Sequence, residues 1–326
     1  MPFIRTMLRD IAPGELGITS SHEHLVCRPP YWVEKGEDDL ILDDPEKSLK
    51  DVLDFKAAGG TAIVDATCID YGRDVPAVAG IARRSGIHIV VTAGLNKGFL
   101  WSAKMPGTER TFAEWIDQTS EEDLAKLFIS EVEKGIGDTG CKAGQLKFGT
   151  GYNSISPLEE KVLRAVAKAH LATGAPLHAH TENGTMALEQ AELLLQVGVD
   201  LTRVSFGHMD RNPDPYMYRK LAEKGAFLCF DGLGKVKYYP ESTRIACILE
   251  LVKRGYEDQV LLGCDTARKS YFRSYGYGLG LDWMLRKWVP RFIEEATEAG
   301  FDGWRLVDKF LVENPRRYLS FKEQKG

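Results

Sequence analysis

Short apolar runs alternate with amphipathic segments about eight times along this 326-residue chain, and this alternation most constrains its fold. Alternating strands and helices at this spacing predict a parallel sheet, because each helix carries the chain back to the start of the next strand. Eight repeats predict that the sheet closes into a (β/α)8 TIM barrel. The strand candidates are, in order, Leu16–His24, Thr61–Cys68, Ile87–Ala93, Gly144–Phe148, Ala175–Thr181, Arg203–His208, Ala226–Asp231 and Gln259–Asp265.

The segments between these runs have helical patterns with recognisable ends. Several begin after a capping residue and a proline, as at Ser156-Pro157, because proline suits the first helical turn. Several end at a glycine, as at Lys224-Gly225. The helix candidates are Pro45–Ala58, Val75–Ser85, Glu121–Lys134, Pro157–Thr173, Met186–Val197, Pro215–Lys224 and Glu241–Arg254.

Two segments depart from this rhythm. The stretch 94–142 is far longer than an ordinary connection between a strand and a helix, and we expect it to act as a lid or binding loop. The stretch 281–321 carries two more helical patterns with a break at Asn314-Pro315, and we expect it to complete the outer helical layer. Because no linker, low-complexity tract or charge block divides the chain, residues 1–326 are predicted to form a single domain.

Composition excludes several classes of protein. The net charge of −5 argues against a nucleic-acid or anionic-membrane surface as partner. No apolar run approaches transmembrane length, and the first residues lack the apolar core of a secretory signal. The six cysteines are scattered without paired spacing, so we expect reduced thiols in a cytoplasmic protein. A homodimer is the default expectation for a soluble enzyme.

Two histidines one residue apart, His22 and His24, lie at the end of the first strand candidate. Residues i and i+2 of a strand face the same side, so both rings can bind one metal ion. Three more potential ligands end later strand candidates: His180, His208 and Asp265. The ends of barrel strands meet at one mouth, where barrel enzymes place their active sites. The pattern therefore predicts a metal site, and Zn²⁺, Mn²⁺ and Co²⁺ all suit its nitrogen and oxygen ligands.

Lys147 ends the fourth strand candidate, although an ammonium group has no lone pair with which to bind a metal. Together with the histidines and Asp265, it resembles the ligand set of the phosphotriesterase family of the amidohydrolase superfamily. The resemblance covers nearly the whole chain. It implies that CO₂ adds to Lys147 and that the resulting carbamate bridges two divalent metal ions.

The resemblance also assigns a role to each remaining ligand. It implies that His22, His24 and Asp265 bind the buried ion and that His180 and His208 bind the more exposed ion. A hydroxide shared by the two ions would attack the substrate. Asp265 would then act as the catalytic residue that carries the proton to the leaving group.

The loops after the seventh and eighth strand candidates are cationic. Loops in these positions frequently bind phosphate in barrel enzymes, and Arg, Lys and Tyr supply charge and donors for phosphate oxygens. We expect Lys237, Arg268 and Tyr271 to form a phosphate clamp at the mouth. The other cations of these loops are interpreted as solvated neighbours: Lys235, Lys269 and Arg273.

Three motifs narrow the resemblance further. They are His-Glu-His-Leu-Val-Cys-Arg-Pro-Pro-Tyr-Trp at 22–32, Lys-Phe-Gly-Thr-Gly-Tyr-Asn at 147–153 and Gly-Cys-Asp-Thr-Ala-Arg-Lys-Ser-Tyr at 263–271. They resemble the phosphofuranose lactonase branch, which opens five-membered lactones of phosphorylated sugar acids. This implies a phosphorylated sugar lactone as the small-molecule substrate, with its 5-phosphate in the clamp. Further substrate contacts are expected from Arg28, Tyr31, Asn96 and Lys97.

Three alternatives to this interpretation remain. A phosphotriesterase or acyl-homoserine-type lactonase would act on neutral substrates, and the cations Lys237 and Arg268 count against its apolar pocket. A metal-dependent nuclease would bridge its metals with Glu and tolerate polyanions, which Lys147 and the acidic composition disfavour. A non-catalytic barrel that binds metal or sugar phosphate would leave the complete ligand set, Asp265 included, without an evident use.

Overall fold

The computed structural model describes residues 2–321, in which eight parallel strands, β3 to β10, pair in chain order around a barrel. The predicted (β/α)8 architecture is thus confirmed. The strands are β1 (Phe3–Arg5), β2 (Asp10–Ile11), β3 (Thr19–Glu23), β4 (Ala62–Asp65), β5 (His88–Gly94), β6 (Gln145–Thr150), β7 (Leu177–Thr181), β8 (Val204–Phe206), β9 (Phe227–Phe230), β10 (Val260–Leu262) and β11 (Ser320–Phe321).

The helices surround the barrel, and the seven predicted between strands are present to within two residues at each end. The predicted ends rest on local chemistry. Ser156 caps the helix that begins at Pro157, and Gly174 ends it in the left-handed conformation. The helices are α1 (Pro30–Lys35), α2 (Pro45–Ala57), α3 (Val75–Ser85), α4 (Phe112–Gln118), α5 (Glu121–Glu133), α6 (Pro157–Thr173), α7 (Ala187–Gln196), α8 (Pro215–Ala222), α9 (Glu241–Lys253), α10 (Val289–Glu298), α11 (Gly303–Asp308) and α12 (Asn314–Leu319).

The barrel closes along a seam where β10 meets β3. The Asp265 N–H donates a hydrogen bond to the His22 carbonyl at 2.9 Å. The Glu23 carboxylate accepts, at 2.9 Å each, from the backbone N–H groups on either side of Asp265. Gly263 lies so close to β3 that a Cβ atom there would come within 2.9 Å of the backbone nitrogen of His22. The first and last strands of the barrel are therefore fixed directly to each other.

A small antiparallel sheet of β2, β1 and β11 lies at the N-terminal end of the barrel. Its residues Ile4 and Ile11 are buried in one apolar cluster with Ala62 and Phe227, the first residues of β4 and β9. This packing fills the N-terminal end of the barrel interior. The side chains at the opposite, C-terminal ends of the strands are the ones that surround a cavity.

The long segment between β5 and β6 is more ordered than a simple loop. It contains α4 and α5, and α5 packs against α6 as part of the outer layer. Trp101 is buried and donates a hydrogen bond from Nε1 to the Asp70 carboxylate at 2.8 Å. The part nearest the cavity contributes Lys97 and Phe99 to its lining. A lid function for residues 94–142 stays a prediction.

Two prolines near the end of the chain follow wide helical turns. Pro290 in α10 and Pro315 in α12 each lie two residues beyond the end of a π-helical segment, Met284–Trp288 and Lys309–Glu313 respectively. The expected break at Asn314-Pro315 is wrong, because the backbone stays helical from α11 through α12. A π turn accommodates the proline ring and its missing N–H, so the helical run continues past it.

Neither a membrane-spanning helix nor a disulfide is present among residues 2–321. The helices there are too short or too polar to cross a membrane. All six cysteines are buried and unpaired with one another, as their scattered spacing predicted.

Candidate active site

The C-terminal end of the barrel holds a cavity of about 250 Å³. Its lining is strongly charged. Two carboxylates, Glu182 and Asp265, face six cationic side chains: Lys97, Lys147, Arg211, Lys235, Lys237 and Arg268. The chain as a whole has a net charge of −5, so this cavity concentrates positive charge against the overall sign. Such a cavity attracts an anionic ligand.

One group of potential metal ligands lies at the seam. The Nε2 atoms of His22 and His24 are 3.7 and 3.5 Å from Oδ1 of Asp265. All three side chains are buried, and their ligand atoms lie within 4.8 Å of one another. His22 belongs to β3, His24 follows it, and Asp265 follows β10. Two imidazoles and a carboxylate at this spacing fit a divalent metal ion.

A second pair of potential ligands, His180 and His208, lies beside this group, with Nδ1 of His180 2.8 Å from Nε2 of His208. The other nitrogen of each ring bonds to a carboxylate, Glu182 at 2.9 Å and Asp231 at 2.7 Å. Since an ionised carboxylate only accepts, these outer nitrogens carry the protons and the two facing nitrogens present lone pairs. Burial lowers the pKa of His208 to about 3, so the ring is neutral. Two facing lone pairs fit a bound cation.

Buried partners fix the orientation of the remaining rings. Asp231 accepts a hydrogen bond from Nδ1 of His208 at 2.7 Å, and its Oδ2 lies 2.9 Å from Nδ1 of His22. His24 bonds through Nδ1 to the Thr67 hydroxyl at 2.7 Å, and that hydroxyl donates to Asp65. In each ring Nε2 is left to face the cavity, as in metal sites whose outer partners set the histidine tautomer.

Asp231 was missed by the sequence analysis. A single aspartate forms no motif, and its strand candidate, Ala226–Asp231, otherwise resembles an apolar core strand. One signal was available, because Asp231 ends its strand candidate as the expected ligands end theirs. Its contacts with His22 and His208 make it the residue that joins the two ligand groups.

Lys147 projects from β6 into the same cavity as the five other expected ligands. Its side chain is 1% exposed, and Nζ donates a hydrogen bond to the Ala66 carbonyl at 3.0 Å. No carboxylate within residues 2–321 forms an ion pair with it. Nζ thus has a backbone carbonyl, rather than a carboxylate, as its hydrogen-bond partner.

Two of the expected ligands have strained backbones. His208 and Asp265 have φ angles of 60° and 45°, in the left-handed region that residues other than glycine seldom occupy. Each such residue costs on the order of 1–3 kcal/mol and persists only where its surroundings fix it. Strain of this kind is typical of functional sites.

The three expected clamp residues line one cavity. Nζ of Lys237 lies 5.8 Å from the centre of the Tyr271 ring, and Arg268 pairs with Asp39 at 3.2 Å. Burial, followed by the nearby cations Arg268 and Lys235, lowers the pKa of Lys237 to about 8. A phosphate would relieve this repulsion.

The interpretation of Lys235 as solvated is wrong. It is 6% exposed, and Nζ donates to both the carbonyl and the carboxylate of Asp265. Arg211 reaches the same carboxylate oxygen, Oδ2, from the other side at 2.5 Å. The reason is tertiary: the loop after β9 folds against the loop after β10, which buries Lys235 and leaves Val236 75% exposed. Asp265 therefore faces histidines through Oδ1 and cations through Oδ2.

The other loop cations lie outside the cavity lining. Lys269 pairs with Asp38 at 2.7 Å, and Arg273 pairs with Asp282 at 2.6 Å. Both were interpreted as solvated neighbours of the clamp; the Arg273 side chain is 48% exposed, whereas that of Lys269 is only 17% exposed because it packs against Asp38.

The four further substrate contacts divide into two pairs. Asn96 and Lys97 line the cavity, and Lys97 forms an ion pair with Glu182. Arg28 and Tyr31 are not part of that lining. Arg28 turns outward to Asp43 at 2.7 Å, while the Tyr31 ring packs edge-on against Trp32, which does line the cavity.

Comparison with known proteins gives full-length matches. The sequence profile of the phosphotriesterase family matches residues 2–319. A phospho-furanose lactonase of Mycoplasmopsis synoviae is 33% identical over 339 aligned residues, which cover 99% of this chain and 93% of the relative. The crystal structure of a lactonase from Listeria monocytogenes superposes with a TM-score of 0.97 at 57% identity, covering 98% of this chain and 100% of the other. A phosphotriesterase homology protein from Escherichia coli, crystallised with phosphate in its active site, superposes with a TM-score of 0.85 at 33% identity. The alignment covers 94% of this chain and 99% of the other.

Proposed function

This chain belongs to the phosphotriesterase family, and from that premise we propose that it is a metal-dependent hydrolase that opens the five-membered lactone of a phosphorylated sugar acid. One observation carries the proposal: a single cavity joins the histidine–aspartate groups to the cationic clamp. The named lactonase relatives support the same reaction class. Hydrolysis and anion recognition would thus take place within one small space.

We propose two divalent metal ions, Zn²⁺, Mn²⁺ or Co²⁺, as the cofactor. His22, His24 and Asp265 would hold one ion and His180 and His208 the other. Metal ions in such a centre supply a nucleophile from water at neutral pH and polarise the carbonyl under attack. Lys147 would react with CO₂ as the free amine, forming an N–C bond and losing a proton, and its carbamate oxygens would help to hold the ions.

The protein side chains would divide the remaining work. Asp265 would accept the proton released by the attacking water and deliver it to the ring oxygen as the C–O bond breaks. Lys237, Arg268 and Tyr271 would hold the 5-phosphate, because ionised donors bind phosphate oxygens strongly. Asn96 and Lys97, which line the cavity, would contact the sugar hydroxyls.

Several broader features are part of the same proposal. The enzyme would act in the cytoplasm as a homodimer of single-domain subunits, with residues 94–142 as a lid over the cavity. A lactonase or phosphotriesterase for neutral substrates is the second candidate, and the five cations that line the cavity besides Lys147 disfavour it. A non-catalytic barrel predicts that Asp265→Asn leaves the biological role intact, whereas the enzyme would lose turnover.

The proposal is tested with two substrates that differ only in the 5-phosphate. Ring opening of a pentono-1,4-lactone and of its 5-phosphate releases a proton, so a pH indicator follows both reactions on metal-loaded protein. We expect a strong preference for the phosphorylated lactone. Arg268→Met should raise its KM by about 10–100-fold, the value of a charge-assisted contact. Lys269→Met, outside the lining, should leave both rates unchanged. Equal or absent activity on both lactones would refute the proposal.

A further inference from the structure

The shape of the proposed substrate determines where its breaking bond must lie. In a 1,4-lactone of a sugar 5-phosphate, the ring oxygen links the carbonyl carbon to C4, and C4 carries the phosphorylated C5. The carbonyl belongs at the metal ligands and the phosphate at the clamp. The leaving oxygen therefore lies between these two parts of the cavity, and a group that stabilises it must lie there too.

Lys235 occupies this intermediate position. Its Nζ bonds to Asp265 on the side of the metal ligands, and it lies 5.0 Å from the centre of the Tyr271 ring on the side of the clamp. It lines the cavity although the residue is 6% exposed. An ammonium group has three N–H donors, and Asp265 accepts from two of them. One donor is left for a ligand in the cavity.

We propose that Lys235 is a catalytic residue that stabilises the negative charge developing on the ring oxygen of the lactone. The inference rests on the proposed function and adds a residue to it. The water oxygen forms a bond to the carbonyl carbon, and the bond from that carbon to the ring oxygen breaks. The electron pair moves onto the ring oxygen, to which Lys235 donates a hydrogen bond, and the proton from water reaches the same oxygen through Asp265. Donors preorganised where charge develops stabilise the transition state more than the ground state.

The neighbours of Lys235 allow a catalytic role of this residue to be distinguished from a structural one. Arg211 also pairs with Oδ2 of Asp265, so this carboxylate keeps a cationic partner when Lys235 is replaced. We therefore expect Lys235→Met to fold and to bind metal. Lys237, two residues further along, serves as the matched comparison, because it lines the same cavity but lies 5.8 Å from the Tyr271 ring without a contact to Asp265.

The test compares the phosphorylated lactone with its thiolactone, in which sulfur replaces the ring oxygen. A thiolate is a much weaker base than an alkoxide, so it needs less stabilisation as it leaves. Lys235→Met should lower kcat on the lactone by about 100-fold, the effect of removing one preorganised donor, and kcat on the thiolactone by less than about tenfold. Lys235→Arg, which retains the charge, should recover a large part of the activity. Lys237→Met should act through KM and by the same factor on both substrates.

Metal content and thermal stability are measured on every variant. The inference would be overturned if Lys235→Met had normal metal content but lost kcat equally on the lactone and the thiolactone. It would also be overturned if Lys235→Met lost its metal, since Lys235 would then act only by holding Asp265. Both results require a wild-type enzyme that opens the phosphorylated lactone. If the wild type opens neither compound, the proposed function itself fails and this inference falls with it.

Discussion

Individual side chains around the barrel mouth do more than one task, and Asp231 is the clearest case. It accepts a hydrogen bond from His208 and lies 2.9 Å from Nδ1 of His22, and these two histidines belong to different ligand groups. Its carboxylate sets the tautomer of His208, which presents Nε2 to the cavity, and its negative charge lies beside the His22 ring. The two groups are thus oriented by a single buried residue.

Replacing Asp231 should weaken metal binding without removing a ligand. We expect Asp231→Asn to lower metal affinity by about 10–100-fold, the usual cost of losing an outer partner of a ligating histidine. Competition with a chromophoric chelator measures this directly. Asp70→Asn is the control, because Asp70 is equally buried but bonds to Asn96 and Trp101 instead. An unchanged metal affinity in Asp231→Asn would contradict the assignment.

Lys237 would give the proposed clamp a pH dependence. Its pKa is lowered to about 8, so it is charged below that pH and neutral above it. A phosphate monoester is already a dianion in this range, since its second pKa is about 6. The preference for the phosphorylated lactone in kcat/KM should therefore fall as pH rises through about 8. Lys237→Arg, which stays charged, should keep its preference to higher pH; an identical decline in that variant would exclude Lys237 as the titrating group.

Lys235 and Lys237 show which property of a single residue could not be predicted from the sequence. Lys235 and Lys237 are equivalent in the sequence Lys235-Val236-Lys237, yet one is buried against Asp265 and the other is exposed at the mouth. The difference comes from contacts between two loops that are far apart along the chain. Ligand candidates at strand ends could be predicted because strand periodicity is a local property.

The helices and strands themselves were largely predictable. Prolines and capping residues at helix starts, and glycines at helix ends, are local signals, so helix bounds came within two residues. Six of the eight strand candidates were longer than the strands, because the apolar pattern continues into the adjoining turns. The π segments before Pro290 and Pro315 have no such signal, since their wider turns depend on packing in the outer layer.

The seam between β3 and β10 depends on the absence of a side chain at Gly263. A Cβ atom there would meet backbone atoms of His22 at 2.9 and 3.0 Å, so Gly263→Ala must push the strands apart. We expect a loss of about 1–3 kcal/mol in the free energy of unfolding, measured by urea denaturation, together with weaker metal binding. Gly80→Ala in α3 meets no atom within 4 Å and should stabilise the protein by about 0.5–1 kcal/mol. If Gly263→Ala stabilised the protein as much as Gly80→Ala does, the seam would not be tightly packed.

Across the whole molecule, the expected ligands come from β3, β6, β7, the turn after β8 and the turn after β10. Bound metal would therefore link distant parts of the barrel and stabilise the folded state alone. At metal concentrations about 100-fold above Kd this contributes about 2.7 kcal/mol. Removing the metal with a chelator should lower Tm by several degrees in calorimetry, and adding it back should restore it. An unchanged Tm after verified metal loss would contradict a centre shared among these strands.

Glu23, between the two histidines of the first motif, connects residues 243 positions apart in the chain by accepting from Thr266. This has a consequence during synthesis on the ribosome. Until translation has passed Thr266 and β10 has emerged, Glu23 lacks the N–H groups that it binds next to β10. His22 and His24 likewise lack their carboxylate neighbour Asp265. A nascent chain stalled before that point can form the earlier strands but not the first ligand group. Metal capture would thus mark the moment at which translation has delivered the closing strand.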